Sequence, residues 1–332
     1  MSDPQLYTIG WICAITTEYT AACQFLDTEH SLPTHLASND SNGYTLGEMA
    51  GHNVVIAVLP RGEYGLSSAA SVATNMLNSF PNIRVGLMVG IGGGAPTSKN
   101  DIRLSDIVVS SPKDQTGGVY QYDFGKTVQG RKFQPTAFLN QPPAVVLTAI
   151  SVLESKYEAE GHHIEDDIAA VFNRRPKLTK KYSRPNPLCD RLYRSHMIHP
   201  QDDEGHCEEL CGTGTTDLVR RDIREDGEDD PAVHYGIIAS ANQLMKDATI
   251  RDALAKEKGI LCFEMEAAGL MNRFPCLVVR GICDYSDSHK NKGWQGYAAM
   301  TAAAYAKDLL ARMVPSQVER EQKIHEALSR SE

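Results

Sequence analysis

The sequence predicts a three-layer α/β fold, in which helices cover both faces of a central sheet. Short apolar runs rich in valine and isoleucine alternate with helical segments along the chain, and this alternation is typical of α/β domains. Residues 276–283 form the clearest run, and its lack of polar alternation indicates a strand buried on both faces. The run leads into Asp284, and open α/β sheets bind their ligands at the carboxyl ends of such strands. We therefore expect the functional site at this edge of the sheet.

The other elements follow from the same patterns. We predict buried strands at residues 7–14, 84–89, 106–110 and 234–240, and a hairpin at 43–48 and 53–59. Helices are predicted at residues 64–80, 144–160, 247–258, 265–272, 293–313 and 318–330. The first strand is followed by Thr16, Thr17 and Glu18, and a threonine before an acidic first turn is typical of a helix start.

The domain organisation is predicted from length and local composition. The chain has 332 residues, and α/β domains of this size occur as one unit. Residues 161–231, called the polar segment below, are rich in charge and proline, and an acidic run at 222–230 closes them. We predict one catalytic domain spanning residues 1–332, with the polar segment as a partly irregular surface insertion and a C-terminal helix at about 315–331.

Composition and charge exclude several classes of protein. With 42% hydrophobic and 23% charged residues and a net charge of −9, the chain has no basic footprint of a nucleic-acid binder. No stretch reads as a signal peptide or as a membrane span, so we expect a cytoplasmic protein without membrane partners. The eight cysteines are expected to be thiols rather than a disulfide framework, because several lie inside apolar runs.

Polar or glycine-rich positions follow several of the predicted strands. Glu18 follows the first strand, residues 90–94 (Gly-Ile-Gly-Gly-Gly) follow the strand at 84–89, and Asn242 follows the strand at 234–240. A glycine cluster lets a ligand approach the backbone closely and offers N–H donors. Glu266 begins the segment that leads back into the strand of Asp284, so two carboxylates are expected at one rim. Separately, each acid could serve only as a helix cap, a first-turn acid or a surface ion-pair partner.

Four motifs in order resemble a known family. Residues 90–94, 105–109 (Ser-Asp-Ile-Val-Val), 263–266 (Phe-Glu-Met-Glu) and 281–284 (Gly-Ile-Cys-Asp) are similar to the nucleoside phosphorylase/nucleosidase family, which includes purine nucleoside phosphorylases and methylthioadenosine nucleosidases. Residues 239–247 and 284–292 resemble its fungal branch, often fused to signalling domains. The resemblance covers about residues 5–135 and 232–313. It implies a mixed, partly barrel-like sheet, a homo-oligomer with a dimer favoured, and no metal or organic cofactor.

The resemblance also implies roles for individual residues. Asp284 matches the acid that protonates or hydrogen-bonds purine N7, and Glu266 matches the glutamate that accepts hydrogen bonds from the ribose hydroxyls. Met265 matches the residue under the sugar, and Glu18 matches the glutamate that activates water in hydrolytic members. The expected base and loop contacts are Gly92, Gly93, Asn242, Leu244 and Phe263. The family usually has an aromatic near Leu244, so Trp294, Tyr285 or an aromatic of residues 120–124 is expected to stack on the base instead.

The motifs favour hydrolysis of purine ribonucleosides such as adenosine, inosine and guanosine. Phosphorolytic members carry an arginine just before the glycine run, where this chain has Met88, and a phosphate loop that this chain lacks. Arg61 is the one basic residue expected near the site, and a phosphate normally requires arginine or lysine. A phosphorylase that uses Arg61 is the alternative, and a non-catalytic nucleoside or nucleotide sensor is the second alternative.

The polar segment also contains residues of metal-ligand type. Cys207 and Cys211 are four residues apart, and His196 and His199 three apart, with Cys189 upstream. These separations are close to those of zinc ligands, yet no Cys-x-x-Cys pair occurs. Unliganded thiols and histidines in a polar segment are commoner, so we predict no metal.

Overall fold

The computed structural model describes residues 2–200, 207–225, 227–289 and 292–329. The strands are β1 (Ile9–Cys13), β2 (Thr28–His30), β3 (Tyr44–Met49), β4 (His52–Val58), β5 (Val85–Gly94), β6 (Ile107–Ser110), β7 (Val119–Gln121), β8 (Gly125–Lys126), β9 (Gln134–Pro135), β10 (Val233–Ser240), β11 (Ile260–Glu264) and β12 (Cys276–Asp284). The helices are α1 (Thr16–Gln24), α2 (Leu66–Ser79), α3 (Ala144–Glu160), α4 (Ile164–Arg174), α5 (Thr179–Tyr182), α6 (Cys207–Leu210), α7 (Ala248–Lys258), α8 (Ala267–Leu270), α9 (Gln295–Leu310), α10 (Pro315–Val318) and α11 (Ile324–Ser329).

Among the described residues, ten strands form one mixed sheet. Its order is β11-β10-β6-β12-β5-β1-β4-β3-β2, with β7 paired to β10. Strand β11 also pairs antiparallel with β5, through Cys262 opposite Gly94 and Phe263 opposite Gly93. This pairing closes β5, β12, β6, β10 and β11 into a ring, while the β1 side of the sheet stays open. The prediction of an α/β fold with a mixed, partly barrel-like sheet flanked by helices is confirmed.

Strand β5 is longer than the sequence predicts. Its strand was expected to end at residue 89, but it continues through the glycine run to Gly94. The glycines fit here because neighbouring side chains lie against the strand. A Cβ atom on Gly93 would lie 2.1 Å from Ser286 Oγ and 2.7 Å from Asp284 Oδ1. The glycine run therefore forms part of the sheet edge against which the end of β12 packs.

Helix α9 lies at the centre of the helical layer beside β12 and β5 and is buried from Gly296 to Ala306. It touches the sheet closely, because a Cβ atom on Gly281 of β12 would lie 1.8 Å from the backbone oxygen of Ala298. Helices α1, α3, α4 and α5 pack around its other sides. The alanine-rich sequence of α9 suits this position, since small side chains allow close approach from every direction.

The first part of the polar segment is helical rather than irregular. Helices α4 and α5 occupy residues 164–174 and 179–182. Ile164, Ile168 and Val171 are buried at a helical spacing that the many charges around them obscured in the sequence. After residue 183 the described part of the segment is mostly loop, with Pro187–Cys189 and α6 as short turns of helix. The domain boundaries themselves stay a prediction.

Two further local predictions need correction. Instead of one helix at 318–330, the structure has the two short helices α10 and α11. The chain turns between them, and the amide of Ile324 donates to the carbonyl of Ile83 at 3.0 Å. Arg330 lies outside the described residues. The helix expected at 265–272 is shorter in the structure, where α8 spans only Ala267–Leu270. The strand β11 that precedes it was not predicted.

In the described part of the chain, no helix combines the length and apolar character needed to cross a membrane.

Candidate active site

A cleft of about 560 Å³ opens where β1, β5, β11 and β12 end. Its lining includes all but one of the predicted site residues: Glu18, Gly92, Gly93, Asn242, Leu244, Phe263, Met265, Glu266 and Asp284. Its size is typical of a small-molecule site. A larger cavity of about 990 Å³ lies between residues 96–103 and 219–234. We favour the smaller cleft, because buried carboxylates and apolar side chains line it together, whereas the larger cavity is lined by many charged side chains such as Arg221 and Asp101.

Glu18 is buried in the first turn of α1, directly after β1. The amides of Ala14 and Ile15 donate to its Oε2 at 2.6 and 3.1 Å, and the amide of Ile91 donates to its Oε1 at 2.8 Å. Burial raises the pKa of Glu18, although Arg280 and these amides oppose the rise. The carboxyl is thus held rigidly, and it retains a proton more readily than an exposed glutamate does.

Arg280 is a central residue of the site that the sequence analysis missed. It lies on β12 and is 1% exposed. Its Nη2 donates to Glu264 Oε2 and lies 3.4 Å from Glu266 Oε2, while its Nη1 lies 3.8 Å from Glu18 Oε1. A signal for it was present, because an arginine inside an apolar strand must find buried acids as partners. One guanidinium therefore holds three carboxylates behind the cleft.

Glu264 is the last residue of β11, and Glu266 lies two residues later, directly before α8. The amides of Glu266 and Ala267 donate to Glu264 at 3.0 to 3.2 Å, so Glu264 is saturated by backbone and by Arg280. Among the described residues, Glu266 accepts only the long contacts from the amide of Met265 at 3.3 Å and from Arg280 at 3.4 Å. Burial raises the pKa of Glu266; Arg280 opposes the rise, and the neighbouring carboxylates of Glu264 and Glu18 add to it. Glu264 supports the site, and Glu266 has acceptor capacity to offer a ligand.

Asp284 ends β12 at the mouth of the cleft and is partly exposed. The amide of Ser286 donates to its Oδ1 at 2.9 Å, and the Cys283 thiol lies 3.6 Å from its Oδ2. Gly93 lies against it, where any side chain would collide. The aspartate is therefore fixed by its own turn and by a glycine of the neighbouring strand, and it faces the same space as Glu18 and Glu266.

The predicted loop residues form the wall of the cleft. Asn242 is tied to the start of α2, because its Oδ1 accepts from the amide of Leu66 at 3.4 Å. Leu244 is 52% exposed, whereas Phe263 is buried on β11 and contacts Tyr122 edge to face, with ring centres 5.7 Å apart. The wall thus combines an exposed aliphatic residue with a fixed aromatic ring.

The predicted stacking partners are not placed on this wall. Tyr285 and Trp294 are buried and do not line the cleft, and Tyr285 hydrogen-bonds Asp190 and Arg221 instead. Tyr64 does line the cleft and is 63% exposed. Tyr64 was not predicted from the sequence, because it lies in the loop before α2 and belongs to no recognisable pattern. Phe263 and Tyr64 are the aromatic rings on the cleft among the described residues.

Arg61 is exposed and does not line the cleft, so the structure does not bring it together with the other predicted residues. No lysine or arginine is found among the described residues that line this cleft. Arg280 lies behind the carboxylates and is occupied by them. The expected contact between Arg61 and a phosphate or substrate is therefore not supported by this geometry.

Three of the five residues of metal-ligand type in the polar segment lie together. His199, Cys207 and Cys211 have their ligand atoms within 4.8 Å of one another, whereas Cys189 and His196 are exposed elsewhere. This cluster is separate from the residues that line the cleft.

Comparisons with known proteins agree with the fold. No family model matches the chain. A nucleotide-binding leucine-rich repeat (NLR)-like protein of Hyaloscypha variabilis is 45% identical over 324 residues, which are 97% of this chain and 31% of that protein. This chain thus spans about a third of the curated relative's length.

Three solved structures with a similar fold are two bacterial nucleosidases and a bacterial futalosine hydrolase. A methylthioadenosine nucleosidase variant of Helicobacter pylori with 5′-methylthioadenosine in its active site has a TM-score of 0.55 at 15% identity, covering 91% of this chain and 97% of its own. The futalosine hydrolase of the same organism has a TM-score of 0.54 at 15% identity, covering 92% and 98%. The 5′-methylthioadenosine/S-adenosylhomocysteine nucleosidase of Neisseria meningitidis, in complex with methylthio-immucillin-A, has a TM-score of 0.55 at 16% identity, covering 94% and 100%. The chain therefore has the nucleoside phosphorylase/nucleosidase fold.

Proposed function

We propose that this chain is a nucleosidase that hydrolyses the N-glycosidic bond of purine ribonucleosides, such as adenosine, inosine and guanosine, to free base and ribose. The observation that carries the proposal is the meeting of Glu18, Glu266 and Asp284 around one cleft at the ends of different strands. Glu18 and Glu266 are buried and have raised pKa values, and such acids in a cleft are typical of functional sites. The similar structures, which include a nucleosidase and a futalosine hydrolase, support the same class of reaction.

Asp284 acts on the leaving base in this proposal. As the glycosidic bond lengthens, positive charge builds on the sugar and negative charge on the purine. An acid at the cleft mouth can donate a proton or a hydrogen bond to purine N7 and so stabilise the departing base. The amide of Ser286 keeps the other carboxylate oxygen in place, at 2.9 Å from Oδ1.

Glu266 and Glu18 act on the sugar side. Glu266 accepts hydrogen bonds from the ribose 2′ and 3′ hydroxyls, because a carboxylate has several acceptor positions and Arg280 fills only part of them. Glu18 takes the proton from the attacking water. Burial raises the pKa of Glu18, and the backbone amides and Arg280 oppose this rise; a carboxylate with a raised pKa is a stronger base toward water.

The lining favours water over phosphate as the nucleophile. A phosphate dianion needs cationic donors, and the described residues around the cleft offer carboxylates and apolar side chains. A homodimer and a cytoplasmic location remain predictions from the sequence.

A second candidate is a nucleoside or nucleotide sensor without turnover. The long relative, described as a nucleotide-binding leucine-rich repeat-like protein, favours it, because this chain matches 31% of a larger protein that can carry a response elsewhere. A sensor would bind the same ligands in the same cleft and release no product.

The test is turnover of adenosine, inosine, guanosine and 5′-methylthioadenosine in phosphate-free buffer and again with phosphate, with the sugar product identified. We expect free ribose, or its methylthio form, at a rate that does not depend on phosphate. Asp284→Asn and Glu18→Gln should each lower kcat by about 10²–10⁴-fold, the usual contribution of a general acid or base. Both variants should still bind nucleoside.

Glu257→Gln is the matched control, because Glu257 is exposed on α7 away from the cleft and should keep the wild-type rate. Ribose 1-phosphate formed only with phosphate would make the protein a phosphorylase. Nucleoside binding with no product would identify the sensor. A Glu18→Gln enzyme at the wild-type rate would remove the water-activating role of Glu18.

A further inference from the structure

Two thiols and two imidazoles converge beside the loop that follows Asp284. Nδ1 of His199 lies 3.2 Å from Sγ of Cys211 and 3.5 Å from Sγ of Cys207. The three ligand atoms all lie within 4.8 Å of one another. Tetrahedral zinc ligands have nitrogen and sulfur about 3.5 Å apart and two sulfurs about 3.8 Å apart, as follows from the usual bond lengths. The three side chains are therefore arranged as one face of a zinc site.

His289 supplies a second observation at the same place. It is 9% exposed, and neither of its ring nitrogens has a hydrogen-bond partner among the residues that the structure describes. Nδ1 is 3.5 Å from Asp287 Oδ2, within ion-pair distance but without hydrogen-bond geometry. A buried imidazole without a partner is costly, and a bound cation would remove that cost.

His289 lies beside this group as the candidate fourth ligand, although its ring nitrogens are not within 4.8 Å of all three ligand atoms. Its ring is 6.0 Å from the ring of His199, centre to centre, and nearly perpendicular to it at 79°. Two imidazoles on one tetrahedral zinc have centres about 5 Å apart, so His289 has to move about 1 Å toward His199 when the metal binds. The ring of Tyr193 stacks on His289 at 4.0 Å and so holds it in place beside the thiols.

The cluster joins two distant parts of the chain. His199, Cys207 and Cys211 belong to the polar segment, whereas His289 lies five residues after Asp284. The amide of His199 donates to Ser288 Oγ at 2.9 Å, and the hydroxyl of Tyr193 donates to the carbonyl of Cys207 at 3.1 Å. A metal bound here would fix the loop 285–289 to the polar segment.

We propose that His199, Cys207, Cys211 and His289 bind one structural Zn²⁺ ion that fastens the polar segment to the loop after β12. Two thiolates and two imidazoles form a closed ligand set without a position for substrate, which is typical of structural zinc. Binding releases the two thiol protons to solvent. The site is independent of the proposed reaction, and its zinc acts on the cleft only by holding this loop.

The test is the zinc content of the full chain, purified without a polyhistidine tag and dialysed against metal-free buffer. We expect about one zinc per chain by plasma mass spectrometry. X-ray absorption should show two sulfur ligands at about 2.3 Å and two nitrogen ligands at about 2.0–2.1 Å. A strong chelator should lower Tm, and added Zn²⁺ should restore it.

Cys207→Ser and Cys211→Ser should lose the zinc, while Cys189→Ser and His196→Ala, on exposed residues of the same segment, should keep it. If the cysteine variants fail to fold, Co²⁺-exchanged wild-type protein should still show the visible absorption of thiolate-bound cobalt. His289→Ala should weaken zinc binding at least tenfold, and unchanged affinity would refute His289 as a ligand. A zinc-free wild-type chain whose Tm does not respond to zinc, or a disulfide between Cys207 and Cys211, would overturn the proposal.

Discussion

Two buried clusters of acids and arginine differ in their balance of charge. In the cleft, Glu18, Glu264 and Glu266 share the single guanidinium of Arg280. Where the polar segment meets β6, one carboxylate, Asp106, is surrounded by donors. Both nitrogens of the Arg224 fork lie 2.6 to 2.8 Å away, His234 Nε2 lies 2.9 Å away, and the amides of Ala232 and Arg103 donate at 3.0 and 2.8 Å.

The imbalance has opposite effects on the two sites. Burial raises the pKa of Glu18 and Glu266, and one arginine does not fully compensate. Burial also acts to raise the pKa of Asp106, but His234 and Arg224 outweigh it and the net pKa is lowered. The saturated cluster anchors the chain, whereas the acid-rich cluster keeps acceptor capacity for a ligand. The excess of buried negative charge therefore fits the proposed functional role of the cleft, whereas the balanced charges at Asp106 fit a structural contact.

The largest expected effect comes from removing the cation of the acid-rich cluster. Arg280→Met leaves three buried carboxylates without their counter-ion, and breaking a buried pair in this way costs about 3–5 kcal/mol of unfolding free energy. Urea unfolding of the variant and of the exposed control Arg312→Met measures this difference. Equal stability of Arg280→Met and the wild type would mean that the carboxylates are protonated or solvated at neutral pH.

A somewhat smaller loss is expected at the saturated cluster. Asp106→Asn keeps the shape of the side chain but directs an NH₂ group at several donors, and we expect a loss of about 3 kcal/mol, the lower end for a broken buried pair. The loss is smaller than for Arg280 because Arg224 keeps Asp230, whose Oδ1 is 3.3 Å from Nη1. The proposed nucleosidase rate should be unchanged at temperatures where the variant is folded. A rate loss without a stability loss would contradict the structural role of Asp106.

The smallest expected effect is a difference in pH dependence. Glu266 has a raised pKa when folded, so the folded state binds its proton more tightly, and this carboxyl makes stability fall as pH rises above the ordinary glutamate range. Asp106 has a lowered pKa when folded, so its contribution is present at neutral pH and is lost as pH falls below the ordinary aspartate range.

Unfolding free energies of the wild type, Glu266→Gln and Asp106→Asn between about pH 3 and pH 8 test these signs, since that interval spans the ordinary carboxyl range. Glu266→Gln should gain on the wild type as pH rises, and Asp106→Asn should approach the wild type as pH falls. Parallel curves for all three proteins would show that neither carboxyl titrates differently on folding.

The sequence predicts the strand edge of the site better than its interior. The apolar run of β12 and the acid after it are local patterns, and they correctly indicate a buried strand that ends at a cleft. Glu266 and the glycine run were found in the same way. The ion pair between Arg280 and Glu264 joins the strands β12 and β11, and a pair of this kind leaves no periodic pattern in the sequence that would predict it.

The polar segment was predicted least well, for a related reason. Its helix α4 buries Ile164, Ile168 and Val171, but three acids in the first turn dominate the composition there. The approach of His199 to Cys207 and Cys211 depends on how the loop folds back, which spacing alone does not determine. Tyr64 was missed because a single aromatic in a loop has no partner in the sequence that identifies its surroundings.

Helices α4 and α5, which pack on the outer side of α9, limit how far the protein can be shortened. Helices α4 and α5 close its outer side so tightly that a Cβ atom on Gly296 would lie 2.1 Å from the backbone oxygen of Lys181. A minimal fragment built only from residues 5–135 and 232–313 would expose this alanine-rich helix to solvent. Because α9 packs against β12 at Gly281, a protein trimmed in this way would lose the packing that holds β12, and with it Asp284, in position. Residues 164–182 therefore have to be retained in any expression fragment or fusion that is meant to keep the cleft.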